Sequence, residues 1–161
     1  MANAHWTIQH DPHHLSLPLN ERVAGGRGVW LLGRLILGGL FLISGVEKVM
    51  GLDQFAVTLV KSGISDSMAA VLSPLAAGAE VIGGFCIVVG LATSWASLLM
   101  IAFTIAAAFT SHRFWEFQGT MAQLQQAHFM KNMMIVGAFC LLYVSSGGPC
   151  SIDRWMRDHQ T

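Results

Sequence analysis

Charged residues are scarce in this sequence, and their scarcity argues against a soluble domain. Only 11% of the 161 residues are Asp, Glu, Lys or Arg, whereas 53% are hydrophobic. A soluble domain usually has about a quarter charged residues. The mean hydropathy is +0.55, and the apolar residues are gathered in long blocks. The composition therefore indicates an integral membrane protein.

The sequence also lacks a net charge and any feature that would divide it into separate domains. The nine basic and nine acidic residues cancel, so there is no basic surface of the kind that nucleic acid requires. No linker, repeat or low-complexity tract divides the chain, and one compact unit is expected. The N-terminal segment lacks the basic start and immediate apolar core of a cleavable signal. It is interpreted as a polar tail.

Cysteine is rare, and the three thiols form no CxxC motif. Cys86 and Cys140 lie inside apolar blocks, where a thiol is usually a small buried hydrophobe. Cys150 lies in a polar turn and is the one candidate for a reactive thiol. A dithiol relay is therefore disfavoured.

Four apolar segments are long enough to cross a bilayer, which takes roughly 20 residues. They cover about residues 29–50, 68–91, 92–111 and 127–144. The second and third segments have almost no link, which predicts a tight helical hairpin. The links at 51–67 and 112–126 are longer and are expected to be polar loops.

The predicted fold is all-α, an integral membrane four-helix bundle. We expect a polar N-terminal tail at residues 1–28, a membrane domain at 29–153 and a short C-terminal tail at 154–161. Four spans place both termini on one side of the membrane. Arg22 and Arg27, just before the first span, favour the cytoplasmic side for them.

Two charges in the first span lie too far apart to pair. Arg34 and Glu47 are thirteen positions apart, about 20 Å along a helix. Arg34 lies near the tail side, to which Asp153 returns after the fourth span. We therefore expect Arg34 and Asp153 to form a structural clasp.

Glu80 lies about halfway through the second span, where a carboxylate is costly and needs a partner. Small residues on its helix, such as Ala76 and Gly84, allow another helix to approach closely. Adjacent residues on a helix point in different directions. We therefore expect Lys48 to turn towards Glu80, and Glu47 to turn towards Lys131, a histidine or water.

Further polar residues gather in the half of the bundle away from the tails. His128, Lys131 and Asn132 have spacings of three and four and share one helical face. Titratable groups in a partly enclosed cavity make a ligand site the default hypothesis. The alternative is a buried ion-pair network that only fixes helix register. The candidate ligand-binding residues are Lys48, Glu80, His112, His128, Lys131 and Asn132, with Glu47 and Ser151 as secondary candidates.

Several stretches resemble, in order, segments of the DoxX family of small bacterial membrane proteins. They are LGRLILGGLFLISGVEKVMG, AEVIGGFCIVVGLAT, SHRFWEFQGTMAQLQQAHFMKNMMIVGAFCLL and GGPCSID. The resemblance covers about residues 33–153 and implies a four-helix bundle in the bacterial inner membrane. Cys150 departs from it, because the family often has a small residue there. The positions that match the family pattern are Arg34, Gly45, Lys48, Glu80, His112, Lys131, Asn132, Ser151 and Asp153.

The resemblance says little about chemistry, although the family name is tied to a quinone-reducing thiosulfate oxidoreductase. The favoured interpretation is an accessory or structural subunit of a larger, redox-linked membrane complex, in contact with lipid and with other subunits or copies of itself. The alternative is a subunit that binds a quinone or a similar amphipath at the polar cluster. No haem, flavin or iron–sulfur motif is present, so no intrinsic cofactor is expected and electrons would come from a partner.

A weaker alternative is a copper site, because histidine and methionine are copper ligands. The N-terminal tail carries His10, His13 and His14, and the fourth span adds His128 beside several methionines. Their spacing follows no regular metal-binding pattern. The metal hypothesis therefore ranks below the other two.

Overall fold

The computed structural model describes the backbone of residues 19–159 and the side chains from residue 26. Within that range the regular structure is helical, with no strand. The helices are α1 (Leu19–Met50), α2 (Leu52–Lys61), α3 (Asp66–Val89), α4 (Thr93–Ser111), α5 (Gly119–Ser145) and α6 (Ile152–Asp158), with a 3₁₀ turn at Phe114–Glu116.

Four of these helices, α1, α3, α4 and α5, are long and apolar enough to cross a membrane. Their most apolar windows have mean hydropathies between 1.4 and 2.0. This confirms the prediction of an all-α membrane bundle with four spans. The side of the membrane on which the termini lie stays a prediction.

Two helices begin earlier than the apolar blocks suggest. The helix α5 starts at Gly119 rather than near residue 127, because the polar stretch TMAQLQQ contains good helix formers and simply extends the span. The helix α1 starts at Leu19, inside the segment interpreted as a polar tail. The thickness of the hydrocarbon layer limits only the length of the apolar part of a helix. Polar residues can extend the helix beyond that layer.

The loop expected at 51–67 contains the short helix α2. Apolar residues at positions 52, 55, 56, 59 and 60 give it one apolar face. That face packs on α3, where Leu59 is buried. The prediction of a loop was wrong here, because ten residues between the first two spans form an amphipathic helix that packs on α3.

The helices α1 and α3 approach each other backbone to backbone at glycines. A Cβ atom on Gly38 would lie 2.8 Å from the carbonyl oxygen of Gly84, and one on Gly45 would lie 2.7 Å from the amide nitrogen of Val81. Small residues permit such close packing of helices in membranes. This contact fixes the depth of α1 relative to α3.

The turn between α3 and α4 is as tight as expected. Gly90 ends α3 with a left-handed φ of 71°, and the amide of Leu91 donates to the carbonyl oxygen of Cys86 at 2.9 Å. This is a common way to end a helix. The main apolar core lies in the half of the bundle near this turn, where Ile87, Met100 and Phe139 are fully buried.

The glycine contact predicts different effects for two neighbouring substitutions. Gly38→Ala places a methyl group against the backbone of α3 and should lower the stability of the fold by about 1–3 kcal/mol, as overpacking does. Gly39→Ala is the matched control, because nothing lies within 4 Å of its Cβ position. It should be neutral or stabilising by up to about 1 kcal/mol. Thermal unfolding in mild detergent measures both, and equal effects would contradict the packing argument.

Candidate functional site

The centre of the site is an ion pair between Lys48 of α1 and Glu80 of α3. The Lys48 ammonium lies 2.5 and 2.6 Å from the two carboxylate oxygens of Glu80, and it also donates to the Ser44 hydroxyl at 3.0 Å. The Glu80 side chain is only 4% exposed, whereas Lys48 is 27% exposed. The prediction that Lys48 turns towards Glu80 is confirmed.

The glycine contact between α1 and α3 places this pair. A Cβ atom on Gly45 would lie 2.8 Å from the Cβ of Glu80, so the two backbones touch at the level of the carboxylate. Lys48 follows Gly45 by three positions and points to the same side of the helix. Its ammonium also lies 5.3 Å from the centre of the Phe55 ring, within the range of a cation–π contact.

A cavity of about 720 Å³ opens beside the ion pair. Its volume is in the range of sites for small organic ligands. Apolar side chains such as Phe41, Leu72 and Phe103 form most of the wall. The polar residues that line it are Ser44, Lys48, Thr58, Glu80, Thr104, Thr110, Ser111, His112 and Asn132.

The histidines form one edge of this cavity. His112 lines the cavity, and its Nδ1 lies 2.9 Å from the Gln125 amide oxygen. The His128 ring stacks on it with 5.1 Å between centres, and Lys131 lies 3.5 Å from the Nδ1 of His128. Thus His128 and Lys131 stand behind His112 and do not line the cavity themselves.

Glu47 lies apart from the cluster. Its side chain is exposed and makes no ion pair with any residue in the described part of the chain. The expected contact with Lys131 or a histidine is therefore not found, and the alternative that Glu47 faces water stays a prediction. Adjacent positions differ by about 100° around a helix, so Glu47 points outwards once Lys48 faces α3.

Sequence reasoning missed how α2 covers the cavity. Phe55 and Leu59 of α2 are part of the wall. Arg113 holds the end of this helix, because its Nη2 donates to the carbonyl oxygen of Ser62 at 2.6 Å while its Nη1 pairs with Glu116 at 3.0 Å. The apolar spacing within residues 52–60 was the signal that could have revealed this cover.

Arg34 and Asp153 meet at the opposite end of the bundle, but they do not pair directly as predicted. Arg34 is 1% exposed, and its Nη2 donates to the carbonyl oxygen of Cys150 at 2.6 Å. The Asp153 carboxylate accepts hydrogen bonds from the amides of Ala92 and Thr93 at 2.6 and 2.8 Å. A helix N-terminus has unpaired amides and a favourable dipole for a carboxylate, so Asp153 caps α4 instead.

The clasp is therefore a shared turn rather than a salt bridge. The amide of Asp153 donates to the carbonyl oxygen of Gly90 at 2.9 Å. The Ser151 hydroxyl donates to the carbonyl oxygen of Gly148 at 2.7 Å and accepts from the amide of Arg154 at 3.1 Å. These bonds hold the chain after α5 against the α3–α4 turn, next to Arg34.

The remaining hypotheses concern metal and thiols. Among the described residues no group of three or more His, Cys, Asp or Glu side chains could hold a metal ion. His10, His13 and His14 lie outside the described residues, so the copper hypothesis stays a prediction. Cys140 is exposed rather than buried as expected, and Cys150 is exposed in its turn.

Comparison with known proteins gives a consistent family. The family model described as DoxX matches residues 29–113. The chain is 32% identical over 124 residues to inner membrane protein YphA of Escherichia coli (strain K12), which is 77% of this chain and 87% of that protein. It is also 32% identical over 124 residues to inner membrane protein YqjF of the same organism, covering 77% and 88% of the two chains. No solved structure matches the chain.

Removing one member of the ion pair should be costlier than removing both. Lys48→Met leaves the Glu80 carboxylate buried without its cation and should cost about 3 kcal/mol of stability. The double variant Lys48→Met/Glu80→Gln should recover most of that loss. Glu47→Gln is the control and should be neutral. Unfolding in detergent measures the four proteins, and a double variant as unstable as Lys48→Met or less stable would contradict a coupled pair.

The cap on α4 predicts an acid-sensitive loss of stability. Burial raises the pKa of Asp153, but the hydrogen bonds from Thr93 and Ala92 outweigh this and hold the pKa below its ordinary value. The stabilisation is therefore present above the ordinary pKa and is lost as pH falls through the lowered one. Asp153→Ala should cost about 1 kcal/mol at neutral pH, and its difference from the native protein should shrink below about pH 4. A difference independent of pH would contradict the capping role.

Proposed function

The chain belongs to the DoxX family of integral inner-membrane proteins, and we propose that it binds a small amphipathic molecule of the quinone type. The head group occupies the cavity beside Lys48 and Glu80. The apolar part lies against the helices. The observation that carries this proposal is a cavity of about 720 Å³ next to an ion pair whose carboxylate is buried.

A pair that only fixed helix register would need no cavity beside it. Here the carboxylate and ammonium border a volume that a ring-sized molecule could fill.

The lining suits a molecule with carbonyl or hydroxyl groups at one end. The Lys48 ammonium and the Asn132 amide can donate to carbonyl oxygens, and the Glu80 carboxylate can accept from a hydroxyl. His112 keeps Nε2 available, because Gln125 engages only Nδ1. A quinone offers carbonyls when oxidised and hydroxyls when reduced. Both forms therefore find partners in one cluster.

Binding of decylubiquinone to the protein in lipid nanodiscs tests the proposal. Glu80→Gln and Asn132→Leu should each weaken binding at least tenfold, the loss expected for about 1.4 kcal/mol. Asn132→Leu leaves the ion pair intact and so separates binding from folding. Glu47→Gln, the exposed neighbour on α1, should bind like the native protein. Native-like binding by both cavity variants would overturn the proposal.

A role as an accessory subunit is the second candidate. The helices α1 and α5 do not pack closely on each other and leave a groove of about 580 Å³. Its wall is apolar apart from Arg34, with Val29, Ile36 and Leu141 exposed along it. A transmembrane helix of a partner subunit could fill such a groove by close packing.

Purification from native membranes in mild detergent tests the accessory role. A stable complex that contains a redox protein is the expected result. Leu141→Arg, which places a charge on the groove, should release that partner while leaving decylubiquinone binding unchanged. Purification of the chain alone and as a monomer would argue against the accessory role, provided that no other protein dissociates from it during purification.

A further inference from the structure

The cavity beside the Lys48–Glu80 pair has exposed residues on its wall, and their positions show where it opens. Leu75 of α3 is 63% exposed and Leu99 of α4 is 43% exposed, and both line the cavity. Ala102, Ala106 and Thr110 of α4 are likewise exposed and line it. These residues lie on the two helices that face each other across the opening.

The opening arises because α3 and α4 separate as they leave their common turn. Near the turn they touch, since Met100 packs directly over Gly83. Further along, the cavity lies between Ala76 and Ala79 of α3 on one side and Ala107 of α4 on the other. The α4 residues on the opening follow a spacing of three and four, which is a single helical face.

The opening lies at the depth of the hydrocarbon layer. Ala102 is nine residues from the start of α4 at Thr93, about 14 Å along a helix that is roughly 28 Å long. It is therefore near the middle of the span. The opening runs from there towards Thr110, close to the far end of α4.

By contrast, protein covers the end of the cavity that faces the aqueous side. The helix α2 lies over that end of the cavity with Phe55 and Leu59 against it, and Arg113 ties the end of α2 to the turn that follows α4. His112 closes the adjoining edge and is backed by His128. Thr58 is the exposed lining residue on this side, and its hydroxyl is turned back to the carbonyl oxygen of Gln54 at 2.9 Å.

We propose that ligands enter this cavity sideways from the bilayer, between α3 and α4, and not from water. The inference deepens the proposed function, because it limits the substrate class to molecules that dissolve in the membrane. The alanines at 76, 79, 102, 106 and 107 keep the passage open. Their small size admits a flat ring or a single chain and excludes bulky branched groups.

A thiol at the inner wall tests the route without any quinone. Ser44→Cys is close to the native residue in size and lies on the half-buried wall of the cavity beside Lys48. The three native cysteines at 86, 140 and 150 are replaced by serine. The protein in nanodiscs is treated with methyl methanethiosulfonate, which is neutral and enters lipid, or with its sulfonatoethyl analogue, which is charged and stays in water. Mass spectrometry follows the fraction that is modified.

The neutral reagent should modify the Ser44→Cys variant at least tenfold faster than the charged reagent does. Ala106→Phe fills the opening and should slow the neutral reagent at least tenfold. Ala70→Phe is the control, because Ala70 is exposed on α3 but does not line the cavity, and it should leave the rate unchanged. Equal rates for the two reagents, no modification by either, or no effect of Ala106→Phe would each overturn the lateral route.

The result of the thiol-labelling experiment does not depend on which ligand the cavity binds. If the lateral route holds but decylubiquinone does not bind, the proposed ligand is wrong and the passage stands. If decylubiquinone binds and the charged reagent reaches position 44 as fast as the neutral one, the ligand stands and the route is from water. The two failures are therefore distinguishable.

Discussion

The structure depends on one constraint, which is that a carboxylate near the middle of a membrane must be neutralised. Glu80 is 3% exposed in the body of α3, and leaving it unpaired in hydrocarbon would be costly. Its cation comes from another helix, so the constraint also fixes how α1 packs on α3. Gly38, Gly45 and Gly84 serve that packing, because only glycine lets the two backbones come close enough for Lys48 to reach the carboxylate.

Buried polar side chains find different partners at the two ends of the bundle, and this difference indicates where the candidate site lies. Near the α3–α4 turn, Arg34 and Asp153 bond to backbone groups, and a Cβ atom on Gly90 would overlap the Arg34 guanidinium. At the other end, Lys48 and Glu80 bond to each other and face a cavity. Backbone bonding at the turn indicates a structural joint, whereas an ion pair beside a cavity lined by several further polar side chains makes a candidate site.

Much of this arrangement could be predicted from the sequence, because hydrocarbon imposes simple rules. Apolar length predicted the four spans, and the cost of a buried charge predicted the partner of Glu80. These rules do not determine the structure outside the hydrocarbon layer, because water can also pair with polar groups there. Asp153 had a choice of partners at the membrane surface and took the amides of α4 over Arg34, and α2 was missed because its residues lie along the bundle. The cavity itself could not be predicted, since it depends on how far α3 and α4 diverge.

The same ion pair supports the packing of α1 on α3 and borders the cavity, so ligand binding and helix packing should be coupled. A molecule that fills the cavity displaces water and lowers the local dielectric constant, which strengthens the attraction between Lys48 and Glu80. Linkage is reciprocal: a ligand that tightens the contact between α1 and α3 binds better when that contact is intact. Gly45 does not itself line the cavity but packs against Glu80, which does, so it should influence ligand affinity through the packing of the ion pair.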